Sequence, residues 1–180
     1  MTLASIALTD EHRALAEVVR DFAADRNLTA AARAALEAPA DPIAHWDDMA
    51  RLGWLGIHLP EEYGGQGYGL EELSVVAEQL GAAVAAEPFL PTVLASAVVL
   101  VTGTEADHAA LLPGLADGST KAAVGLGGDV TRSGDRVRGD AGWILGAATA
   151  DLLLVRVGDD LAVIEAADAT ITVHLPEKPN

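Results

Sequence analysis

The sequence predicts an α+β protein, with an all-α helical domain over residues 1–118 followed by a small antiparallel β domain over residues 119–180. Three observations carry this. As far as Leu112, apolar residues recur at helical spacing behind capping residues. Beyond Gly118, the chain breaks into short runs of Val, Leu and Ile divided by Gly, Asp and Ser. The composition is 51% hydrophobic but only 4% aromatic, which suits a packed, Ala- and Leu-rich helical protein rather than a disordered one.

Thr9 is a candidate N-cap, with Asp10 and Glu11 in the first turn where the helix dipole favours anions. Leu15, Val18, Val19 and Phe22 then share a face, predicting a helix over 10–25. An Ala-rich helix is expected over 29–37, ended by Pro39. Asp41-Pro42 is a start signal for a third, with Ile43, Trp46, Met49 and Ala50 inward and Gly53 closing it. A fourth is expected over 70–86, with Leu70, Leu73, Val76, Ala77, Leu80 and Val84 inward and Glu71, Glu72 and Glu78 outward. Pro91 opens a fifth through Val101. It is apolar nearly all round, so it is expected to be buried on most sides. Thr104 with Asp107 suggests a capping box for a short sixth helix toward Leu112, followed by a turn at Asp117-Gly118. Strands are expected at 121–126, 136–138, 143–145, 151–157, 161–165 and 170–175.

Charge and missing residue types narrow the function. The formal charge of −16 makes nucleic acid and anionic membrane surfaces poor partners. With no cysteine, disulfides, thiolate catalysis and zinc ribbons are excluded. The longest apolar run, Val93 to Val101, is far short of the roughly 20 residues that cross a bilayer. The N-terminus has no basic region leading into an apolar core. A soluble, cytoplasmic protein is the expectation. His12, His45, His58, His108 and His174 show no metal-ligand spacing, and His58 is expected to be a half-buried, hydrogen-bonded residue.

The most distinctive stretch is LGWLGIHLPEEYGGQGYG, residues 52–69, read as a short strand-like segment, a turn at Pro60 and a Gly- and Tyr-rich loop. Such a loop can form a ligand wall or a tight packing corner, and packing is the more frequent role for Trp54 and Tyr63. Together with LTDEHRALAEVVRDFA (8–23), LLPGLADGSTKAAVGL (111–126) and GDAGWILGAATADLLLVRV (139–157), this block resembles the acyl-CoA dehydrogenase family across nearly the whole chain and in the family's order. The resemblance implies a helical domain, a middle β domain and a four-helix bundle. FAD lies between the β domain and the helices, with an acyl-CoA thioester beside the flavin. A glutamate takes the α proton while the β hydride moves to flavin N5, giving an enoyl-CoA and passing electrons to an electron-transfer acceptor. The thioester must be polarised and the flavin held within hydride reach.

Three departures from that pattern stand out. The bundle carrying the family's glutamate is not within these 180 residues, and none of the glutamates present matches its position, so no catalytic base is assigned. After the strand ending at Leu126, Gly127 stands where the family places a threonine, and Gly128-Asp129 where Glu-Pro would follow. The family's Trp-Ile-Thr reads Trp143-Ile144-Leu145. The resemblance therefore places Leu126, Gly127, Trp143 and Leu145 as the cofactor-binding positions. Read from the residues alone, Trp143 is equally a core aromatic on a strand, and Gly127-Gly128 is more simply a hairpin turn than a phosphate cradle. The expected function is FAD-dependent α,β-desaturation of an acyl-CoA, fatty or steroid, by a homo- or hetero-oligomer in which this chain is not self-sufficient. The alternatives are a non-catalytic partner subunit of a heteromeric acyl-CoA dehydrogenase or an inactive fragment.

Overall fold

Thr9 caps the first helix. In a computed structural model, which describes residues 9–37 and 45–168, its hydroxyl accepts the His12 N–H, while His12 Nδ1 accepts the Thr9 N–H at 3.3 Å. The chain divides into two units, Met1–Ser119 and Thr120–Asn180. The first holds α1 (Asp10–Asp25), α2 (Leu28–Glu37), α3 (Trp46–Arg51), α4 (Leu70–Ala82), α5 (Phe89–Thr102) and α6 (Glu105–Ala116). The expected features at Pro39, Asp41-Pro42, Ile43 and His174, and the strand over 170–175, lie outside the described residues.

In the helical unit α1 packs on α4 and α5 on α6. The core gathers Val19, Ala23, Leu28, Trp46, Met49, Trp54, Leu55, Ile57, Leu73, Val76, Leu80, Phe89 and Val93. Val18 is exposed, because the buried arc of α1 runs through His12, Val19 and Ala23 and leaves it one step off the stripe. Leu70, the first residue of α4, is also exposed.

Helix α4 stops sooner than its apolar pattern predicts. Val84 takes a left-handed φ of 56°, its N–H bonds the Gly81 carbonyl, and the Ala85 N–H reaches back to Leu80. A residue in this conformation closes many helices, usually as glycine, so the valine hid the signal and is left exposed rather than inward.

Helix α5 begins at Phe89, with Pro91 inside its first turn, where a missing N–H costs no intrahelical bond. Phe89, Thr92, Val93, Ala95, Ser96 and Val99 are buried. Leu90, Leu94 and Val101 line up along one narrow strip facing outward, and the rest of the helix, its last residue apart, is buried or partly buried, as its nearly all-round apolar pattern predicts. Helix α6 runs through Pro113 instead of ending at Leu112. Leu112 and Leu115 are both fully buried, which offsets the missing backbone bond.

The 52–69 stretch contains no strand. Gly56 to Leu59 and Gln66 to Tyr68 lie side by side through irregular backbone bonds, Gln66 N–H to Gly56 O at 3.0 Å and Tyr68 N–H to Ile57 O at 3.0 Å. Gly65 sits so close to Leu59 that a Cβ there would lie 2.0 Å from the Leu59 carbonyl oxygen. Trp54 is buried with its ring edge-on to Phe22 at 4.9 Å, and Tyr63 meets the His108 ring at 5.6 Å. The stretch is a packing corner.

The second unit contains β1 (Ala122–Gly125), β2 (Asp129–Ser133), β3 (Arg136–Asp140), β4 (Leu152–Val157) and β5 (Asp160–Glu165). The α+β class stands, but the main sheet is mixed. Its order is β1-β4-β5, with β1 parallel and β5 antiparallel to β4, while β2 and β3 form a separate hairpin. Lys121 and Asp151 set the parallel start: the Asp151 N–H donates to the Lys121 carbonyl, and the Asp151 carboxylate accepts the Lys121 N–H and pairs with its ammonium at 3.1 Å. Residues 143–145, expected as a strand, form none. Gly127-Gly128 is not the hairpin turn either, because the β2–β3 reversal falls at Gly134-Asp135.

Candidate functional site

The positions singled out in the β unit lie close together. Ile144 folds over the end of β1, where a Cβ on Gly125 would be only 2.6 Å from Ile144 Cδ1. A Cβ on Gly128 would strike the Asp140 carbonyl oxygen at 1.9 Å, and one on Gly142 would come within 4 Å of Gly127 and Gly128. The segment 140–146 therefore lies across 125–128. The Asp140 carboxylate accepts the Gly142 N–H at 2.8 Å, and Arg156 Nε donates to the Leu126 carbonyl at 2.8 Å. These two bonds pin the backbone on either side.

Ile144 points into the cluster around Ala123, Leu153 and Val155. Its neighbours point away from it: Trp143 is 83% exposed, Leu145 64% and Leu126 55%. An indole and an isobutyl group are left in water on the short, braced 140–146 segment, and a second isobutyl group, that of Leu126, just past the end of β1. Trp143 is thus no core aromatic; the short apolar run resembled a buried strand, and alternation about Ile144 turned it outward. Arg156 and the Lys121–Asp151 pair were missed by the sequence reading, since partners 30 residues apart carry no local signal.

The histidines are structural where described. His12 Nε2 meets Glu72 Oε1 at 3.1 Å, and Glu72 Oε2 accepts the Gly69 N–H, tying the starts of α1 and α4 together. These bonds, that from Gly69 first, hold the Glu72 carboxyl below its usual pKa. His58 is more buried than the half-burial expected, and it bonds Ser96; burial pushes its pKa down. His108 bonds the Val99 carbonyl at 3.0 Å. No cluster able to hold a metal ion occurs among the described residues. Nor is any described helix long and apolar enough to cross a membrane. An open depression of about 560 Å³ is lined by Asp47, Ala50, Arg51 and Asp117.

A helical unit with a tightly turned Gly-rich corner is thus followed by a small mixed sheet bearing an exposed Trp. Residues 9–119 match the family model for the acyl-CoA dehydrogenase N-terminal domain. The chain belongs to the acyl-CoA dehydrogenase family.

It is 44% identical over 78 residues to acyl-CoA dehydrogenase FadE12 of Mycobacterium tuberculosis, a match covering 41% of this chain and 20% of that protein. With acyl-CoA dehydrogenase FadE34 of the same organism it is 32% identical, over 91% of this chain and 25% of the relative. Among solved structures, a variant of the Tcur3481–Tcur3483 steroid acyl-CoA dehydrogenase superposes with a TM-score of 0.74 at 30% identity, over 91% of this chain and 50% of that one. The chain spans a fifth to a half of the length of these proteins.

The family implies FAD beside these exposed side chains. Their apolar groups suit one side of an aromatic ring, but the side-chain donor set does not fit the flavin's polar edge. Gly127 and Leu145 offer no hydroxyl. The hydroxyls of Thr131 and Thr149 in the same unit already donate to the carbonyls of Arg138 and Gly146.

Proposed function

We propose that these 180 residues supply the helical and middle β parts of an FAD-dependent acyl-CoA dehydrogenase, which desaturates an acyl-CoA thioester between its α and β carbons. The chain is not self-sufficient: catalysis belongs to a larger polypeptide or to an oligomer with another acyl-CoA dehydrogenase subunit, which passes electrons to an electron-transfer acceptor. The observation that carries this reading is the match of residues 9–119 to the family's N-terminal domain; it is supported by the exposure of Leu126, Trp143 and Leu145, the positions at which the sequence resemblance expects the cofactor. It is tested by acyl-CoA oxidation with an artificial electron acceptor. The isolated chain is expected to be inactive and a co-expressed assembly active; turnover by the verified chain alone sinks the proposal.

A second reading, that the chain is the non-catalytic partner in a heteromeric enzyme, is favoured by Gly127 and Leu145 and by the likeness to the two-component steroid enzyme. A preparation that is colourless alone and turns yellow only with a second subunit supports it. Flavin retained near 1:1 by the chain alone overturns it.

A further inference from the structure

We infer that the outer face of the β2–β3 hairpin is a self-complementary contact surface, on which a second copy of this chain docks turned end for end. This goes beyond the acyl-CoA reading and does not depend on it. The pairing register fixes which side chains share the face. Asp129 stands opposite Asp140, Thr131 opposite Arg138 and Ser133 opposite Arg136, and directly paired residues point the same way. The alternate set, Val130 with Gly139, turns inward, because Val130 packs against the cluster of Ala123, Leu153 and Val155. The outward residues are all exposed.

That face is bipolar. Asp129 and Asp140 oppose each other at the open end of the hairpin, a placement in which like charges repel. Arg136 and Arg138 lie at the turn end, two residues and about 7 Å apart on one strand. Neither repulsion is relieved within the chain. Arg13, Arg26, Arg51 and Lys121 each pair with a carboxylate, but among the described residues no ion pair involves Arg136, Arg138, Asp129 or Asp140. Asp135, in the adjoining turn, pairs with neither arginine.

A small anion or a uniformly acidic surface would gain at the arginines and lose at the aspartates. A second copy turned end for end sets arginines over aspartates twice, as a two-fold contact requires. Two chains of charge −16 repel, but at about 0.15 M salt that repulsion is screened beyond about 8 Å, and contact pairs act within it. Exposed ion pairs are individually weak, so the face sets orientation more than affinity.

The chain has no cysteine, so Thr131→Cys puts a lone thiol at the middle of the face, where a short bismaleimide joins two copies. Cross-linking rates are compared at physiological ionic strength, with circular dichroism reporting the fold. In this background Arg136→Glu/Arg138→Glu makes the face wholly negative, and Asp129→Lys makes it mainly positive; Asp140 is kept because it braces Gly142. Each variant alone is expected to cross-link about 10-fold more slowly than the parent, and an equimolar mixture of the two should recover the parent rate. Folded variants that react as fast as the parent overturn the inference, as does a mixture no faster than its components. So does a parent that joins an unrelated acidic protein bearing one exposed cysteine as fast as it joins itself.

Discussion

His58 and Ser96, 38 residues apart, share a buried hydrogen bond, with Nε2 to Oγ at 3.1 Å. The Ser96 hydroxyl spends its proton on the Val93 carbonyl, so it accepts from His58 and fixes the imidazole proton on Nε2. That leaves Nδ1 buried with no partner among the described residues. A protonated ring would place a second N–H there with nothing to receive it.

The first prediction follows from that geometry. Burial holds the folded pKa of His58 below the ordinary histidine value, so the unfolded chain binds its proton more readily. The stabilisation is complete above pH 6.5 and declines as pH falls toward the lowered folded pKa, with a slope of at most about 1.4 kcal/mol per pH unit. Urea unfolding between pH 7.5 and 5 is expected to show this loss. His58→Gln should flatten the curve relative to the parent. Parallel curves count against the assignment.

Glu72 acts at two helix starts, accepting from the Gly69 N–H and meeting His12 on α1. Glu72→Ala is expected to destabilise the helical unit by about 1–2 kcal/mol in denaturant titration. Its folded pKa is lowered, so its contribution is present above about pH 4.5 and fades as pH drops through the lowered value. The variant should therefore lose less stability than the parent below pH 4.5.

Two backbone positions predict changes of opposite sign. Gly65→Ala drives a Cβ into the Leu59 carbonyl and is expected to cost several kcal/mol, on the order of 3 or more. Val84→Gly relieves a β-branched residue at a φ of 56° whose side chain packs little, and should stabilise by about 1 kcal/mol. Thermal midpoints moving in the same direction for both would contradict the backbone conformations.

Trp143 separates a surface role from a core role. Trp143→Ala is expected to change stability by less than about 0.5 kcal/mol, whereas Leu154→Ala, at a fully buried sheet position, should cost about 2–5 kcal/mol. A large loss on removing the indole would return Trp143 to the core.

Where residues signal to their near neighbours, the sequence was legible. Thr9 and the Thr104–Asp107 pair marked helix starts, Gly53 marked an end and Asp117-Gly118 a turn, because caps and turns are local chemistry. Val84 and Pro113 misled for the same reason. Propensity favoured continuing at the valine and stopping at the proline, and packing reversed both.

By itself the sequence determined the helical part, the strand-rich part, the family, and the absence of hydroxyls at 127 and 145, since each is a matter of residue type or short-range spacing. Only the tertiary structure decided that β1 runs parallel to β4, that residues 52–69 pack as a corner, and that Trp143 faces water while Ile144 faces the core. Each of these depends on which distant segment lies across which. That choice is made by burial and backbone pairing between residues the chain itself keeps far apart.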